Sequence, residues 1–125
     1  MTSAQEPSAN AAPVRRFKDP GHVEVAPTLG ELRARIDRID EQMVALMAQR
    51  AACVRDATRF KRDAFQVAAP ARQAQVFDKV RALATAQAST FPGLPDIVEA
   101  TYRTMVAGFV AAEGQLFQET ETIQP

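Results

Sequence analysis

Residues 29 to 50 read LGELRARIDRIDEQMVALMAQR. Leu29, Leu32, Ile36, Ile39, Met43 and Leu46 recur at alternating spacings of three and four, which is one apolar stripe on an α-helix. The next position on that stripe is Arg50. At the front of the stretch, Thr28-Leu29-Gly30-Glu31 fits a capping box, in which the Thr28 hydroxyl accepts from the Glu31 N–H and Glu31 reaches back. From there to Lys61 or Asp63 no proline intervenes, and Gly30 is the only glycine. The spacing predicts one helix of about 35 residues, roughly 50 Å long. A compact domain of this size has a radius of gyration of only about 13 Å. Such a helix protrudes from a monomer with its stripe bare, so an antiparallel two-fold dimer of long helices is expected.

Working outward, residues 1–27 contain four prolines and much Ala, Ser and Gln, with no helical period, and read as a disordered tail. The run Arg15-Arg16-Phe17-Lys18 is not an export signal, because no apolar segment follows it. Downstream, Pro70 suits a first helical position, and Val76, Val80, Leu83 and Gln87 mark a second long helix. Residues 90–96, TFPGLPD, form a turn, with Asp96 as N-cap of a third helix. Val98, Tyr102, Met105, Phe109 and Leu116 lie along that helix's apolar face. No useful strand alternation exists. The expected fold is all-α: one helical domain over residues 28–120, with a frayed end at 121–125.

Fifteen basic and fifteen acidic residues balance. That gives no footprint for nucleic acid and no basic anchor for a membrane surface. No apolar run approaches the roughly 18 residues of a membrane span, so a cytoplasmic location is the default. Cys53 is alone, which rules out an intrachain disulfide, and it reads as a small buried hydrophobe. No metal-ligand spacing and no cofactor motif is present.

Three charges sit where apolar contacts belong. Arg50 is on the first stripe; Lys61, 11 residues on, falls within about 20° of the same face. Glu113 is on the third helix's stripe. Buried charges are costly unless paired. Two readings remain open on the residues alone: internal ion pairing, such as Arg50 with Glu113, or a pocket between helices that holds an anion.

The ordered set Leu29-x-x-Leu32-Arg33-x-x-Ile36-Asp37-x-Ile39-Asp40, Leu46-x-x-x-Arg50, Lys61 and Pro70-x-Arg72 resembles the all-helical (type II) chorismate mutase family. The likeness spans about residues 28–118. It implies an intertwined homodimer with shared active sites and, as substrate, a small dicarboxylate, chorismate or isochorismate. It implies no cofactor and no metal. By the resemblance, Arg50, Lys61 and Arg72 are the cations one chain supplies, and Arg33 is donated across the dimer. Geometry agrees on the last point: Arg33 and Arg50 stand 17 residues apart, about 25 Å along an ideal helix. Lys61 and the residue at 113 would donate to the ether oxygen on which charge grows.

Two departures bear on the activity. Where bacterial mutases of the family carry glutamine, this chain has Glu113. An ionised carboxylate would repel the substrate, whereas burial disfavours the charged form, so a protonated Glu113 could donate as in fungal members. Gln115 cannot replace it without a register shift, since two residues turn a helix by about 200°. After Arg72 the mutases carry a glutamate for the ring hydroxyl; here Gln73 stands, which can still hydrogen-bond a hydroxyl. Arg59-Phe60-Lys61 and the short spacing from Lys61 to Arg72 resemble the isochorismate pyruvate lyase branch, which makes salicylate and pyruvate. The reading taken is chorismate mutase, with that lyase as alternative. A non-catalytic helical interaction protein is the rival from another class; it is disfavoured because Arg33, Arg50, Lys61 and Arg72 are all present.

Overall fold

The computed structural model describes residues 5–123, and among these there is no strand. The elements are α1 (Leu29–Ala57), a 3₁₀ turn (Thr58–Phe60), α2 (Ala64–Ala68), α3 (Pro70–Thr85), a second 3₁₀ turn (Ala88–Thr90) and α4 (Leu94–Gln118). The fold is therefore all-helical with three long helices and a very long first one. None of the described helices is long and apolar enough to cross a membrane. The expected tail and frayed end fall partly outside the described residues, at 1–4 and 124–125.

The chain divides within α1 into two compact units, one reaching Ala48 and the other starting at Gln49. In the first unit the start of α1 is well capped. The Thr28 hydroxyl accepts from Glu31 N at 3.3 Å, and the Thr28 carbonyl accepts from Leu32 N at 3.1 Å. The Ala9 carbonyl takes the Gly30 N–H at 2.8 Å, which satisfies another donor that the first helical turn leaves unpaired. A Cβ at Gly30 would stand 2.8 Å from that oxygen, so glycine permits the approach. Residues 5–27 otherwise carry no helix.

Along α1 no residue is buried. Ile36, Ile39, Met43 and Leu46, the middle of the stripe, are each at least half exposed in the single chain. A stripe of this size in water forfeits roughly 1.5–3 kcal/mol per side chain relative to burial.

The second unit is built around α4. α3 packs along it, and α2 and the first 3₁₀ turn also touch it. Val67, Phe77, Val80, Ala84 and Val106 form the buried apolar core. The buried face of α3 thus runs through Phe77, Val80 and Ala84, whereas Leu83 is 60% exposed. The expected stripe on α3 is corrected by about one residue: the helix turns Phe77 inward and leaves Val76 to line a pocket. On the outer rim Arg81 pairs with Asp96 at 2.8 Å and with Glu99 at 3.3 Å, while Arg103 donates to Glu99 at 2.9 Å. That hydrogen bond from Arg103 holds the Glu99 carboxyl below its ordinary range. The Arg103 guanidinium also stacks on Phe77, 4.4 Å from the ring centre.

Three boundaries differ from expectation. α1 ends at Ala57 because Thr58 begins a tighter turn and Lys61 is already extended (φ −99°, ψ 139°). The expected break at 65–69 contains α2, whose N-cap Asp63 accepts from Gln66 N at 2.9 Å. Gly93 (φ 77°), not Asp96, caps α4, and Asp96 sits in the first turn, turned to Arg81.

Candidate active site

A cavity of about 290 Å³ opens in the second unit. Arg50, Lys61, Arg72, Gln73 and Glu113 all line it, so five of the six residues singled out in the sequence converge on one place. Arg33 belongs to the other unit; it is exposed on α1 and is not part of this lining. Val54, Val67, Val76, Val106 and Phe109 supply apolar wall.

Each polar group arrives by a local rule. Arg50 comes from the last turns of α1 and lies over two rings of α4, 5.5 Å from the Phe109 centroid and 6.0 Å from Tyr102. A cation–π contact uses the ring faces and none of the guanidinium's N–H donors, which leaves them for a carboxylate. Arg50 makes no ion pair among the described residues, so of the two readings left open by the sequence, internal ion pairing is seen for Glu113 with Lys61 and not with Arg50. Lys61 follows the 3₁₀ turn, where its N–H bonds to Thr58 O at 3.1 Å. Its ammonium donates to the Gln66 carbonyl at 3.1 Å and faces Glu113 Oε2 at 3.6 Å. The first is a hydrogen bond; the second is an ion pair too long to count as one. An ammonium has three donors, so the Gln66 carbonyl leaves others for a ligand.

Arg72 and Gln73 lie in the first turn of α3, immediately after Ala69, whose left-handed backbone (φ 45°, ψ 61°) reverses the chain between α2 and α3. A non-glycine residue in that region is uncommon. One amide N–H of Gln73 is committed to the Ala68 carbonyl, which leaves its Oε1 as an acceptor for a hydroxyl.

Glu113 is the buried carboxyl of the set, with 4% of its surface exposed. Thr58 Oγ1 stands 3.2 Å from its Oε2. Gln115 is exposed and does not line the cavity, as its rotation about α4 requires. Cys53 is corrected: it is exposed in this chain, along the cavity's edge, and not a buried hydrophobe.

Three cations and one carboxylate leave the lining at a net charge of +2 when Glu113 is ionised and +3 when it is protonated. A compact anion with apolar parts is the ligand such a lining favours. No cluster of metal-ligating side chains occurs among the described residues. Sequence reasoning missed Thr58 and Gln66. A signal existed for Gln66, because Asp63-Ala64-Phe65-Gln66 is itself a capping pattern.

A family model described as chorismate mutase type II matches residues 32–114, more than half of the chain. No curated protein and no solved structure is matched.

Proposed function

Because the chain belongs to the chorismate mutase type II family, we propose that it rearranges chorismate to prephenate in the cavity lined by Arg50, Lys61, Arg72, Gln73 and Glu113. The observation that carries this reading is the convergence of three cations and one buried carboxyl on an otherwise apolar pocket. Chorismate carries a ring carboxylate and an enolpyruvyl carboxylate. Arg50 and Arg72 hold these two groups and fold the side chain over the ring, which supplies proximity and orientation. The reaction is then one pericyclic step. The ether C–O bond breaks as the new C–C bond forms, and negative charge grows on the ether oxygen. Lys61 donates there, and Glu113, when protonated, donates to the same atom; donors fixed in advance are worth most at such a place. Gln73 Oε1 accepts from the ring hydroxyl.

The functional unit is a homodimer. A second copy covers the bare stripe of α1, from Ile36 to Leu46, and its Arg33 completes each pocket. The second reading, isochorismate pyruvate lyase, is favoured because, among the described residues, Glu113 is the only acid lining the cavity and Gln73 follows Arg72 where the mutases carry a glutamate. One paired assay separates the two. Purified protein is given chorismate and isochorismate in turn, and prephenate, salicylate and pyruvate are followed. Prephenate formation with the higher kcat/KM is the expected result. Salicylate and pyruvate from isochorismate, with chorismate inert, would make the chain a lyase; no product from either would favour a non-catalytic interaction protein.

A further inference from the structure

We propose that Thr58 is a positioning residue for this reaction: it occupies Oε2 of Glu113 and thereby keeps the acid's hydrogen on Oε1, the oxygen left open to the pocket. This rests on the reading of Glu113 given above.

Both partners of the Glu113 carboxyl are on one oxygen. Thr58 Oγ1 lies 3.2 Å from Oε2, and Lys61 Nζ lies 3.6 Å from that same atom. Oε1 has no partner among the described residues. Among the described residues no buried side-chain oxygen is left unsatisfied. Oε1 therefore keeps accessible surface, and Glu113 lines the cavity.

The Thr58 hydroxyl has a single hydrogen and two acceptors in reach, Oε2 and the Val54 carbonyl at 3.1 Å. If it donates to Val54, the hydrogen between Oγ1 and Oε2 must come from the carboxyl, and the acid then points its hydrogen at Thr58 and not at a substrate. If it donates to Oε2, a protonated Glu113 must carry its hydrogen on Oε1. The Lys61 ammonium decides between them. It offers only donors, so it disfavours a hydrogen on the oxygen it faces and favours that oxygen as an acceptor. Thr58 is itself 3% exposed, and water does not compete for its hydroxyl. The general problem for an acid acting as donor is that its two oxygens are equivalent until something distinguishes them; here Thr58 and Lys61 do so together.

The test is a double-mutant cycle on kcat and KM for chorismate. Thr58→Val removes the hydroxyl at nearly constant volume. It is expected to lower kcat by about tenfold, the scale of one hydrogen bond between neutral groups, with KM within about twofold. Thr58→Ser, which restores the hydroxyl, should recover most of the rate. In a Glu113→Ala background Thr58→Val should cost less than about twofold, because nothing remains to be positioned. Equal losses from Thr58→Val in both backgrounds would mean a packing role and overturn the proposal, as would a neutral Thr58→Val. Thr58→Ala is read the same way should the valine variant fold poorly. If Glu113→Ala itself leaves the rate intact, the reading of Glu113 has failed first, and the two failures are told apart.

Discussion

Arg50→Ala is expected to lower kcat/KM for chorismate by about 10²–10³-fold, the scale of losing one bidentate, charge-assisted contact to a substrate carboxylate. The reason is geometric. Arg50 interrupts an apolar stripe, and its guanidinium lies within cation–π distance of Phe109 and Tyr102 without an ion-pair partner among the described residues. Among the described residues nothing accepts a hydrogen bond from its guanidinium. A cation kept at such a place, next to apolar wall, is what a carboxylate needs. Arg50→Lys should recover only a small part of the rate, since an ammonium neither stacks as a plane nor binds in two places. Thermal unfolding of Arg50→Ala should stay close to wild type, because no buried partner is orphaned. A variant that kept more than about a third of wild-type kcat/KM would remove Arg50 from the binding set.

The second large effect is at Glu113. In the proposed reaction its acid form is the donor to the ether oxygen. The charged groups around it are Lys61 at 3.6 Å, with Arg50 and Arg72 lining the same cavity. Glu113→Gln keeps a donor in the same place and should retain most of the rate. Glu113→Ala, with no donor and with the Lys61 ammonium left without its carboxyl, should lose about 10²-fold or more. The measurement is kcat for the three proteins, with the folding of each checked. A loss in Glu113→Gln as large as that in Glu113→Ala would mean that Glu113 serves as the ion-pair partner of Lys61 and not as an acid donor.

Much of this was legible in the chain. The stripe from Leu29 to Leu46 and its missing member at Arg50 gave the long helix, because a period of 3.6 survives whatever packs against it. Pro70 marked the start of α3 for the reason that its absent N–H costs nothing there. Lys61 was placed on the Arg50 face by assuming one uninterrupted helix. The two do line one cavity, but through a 3₁₀ turn and an extended Lys61 that the periodicity argument could not supply. The inward face of α3 was read one residue out, since Val76 and Phe77 are both apolar and only the contact with α4 chooses between them. Asp96 looked like a cap by residue type, yet Gly93 takes the left-handed position and Asp96 goes to Arg81. Thr58 was invisible because a threonine in a helical run signals nothing until its partner, 55 residues away, is placed beside it.

In the proposed dimer each working pocket is completed by Arg33 of a second copy. Subunit mixing measures this directly. Arg33→Ala and Arg50→Ala are purified separately, each nearly inactive, then combined in equal amounts under conditions where exchange is shown independently. Random exchange makes half of the dimers mixed, and each mixed dimer holds one pocket with both arginines and one with neither. Recovery to about a quarter of wild-type activity is expected. Activity that stays at the level of the separate variants, with exchange demonstrated, would contradict it.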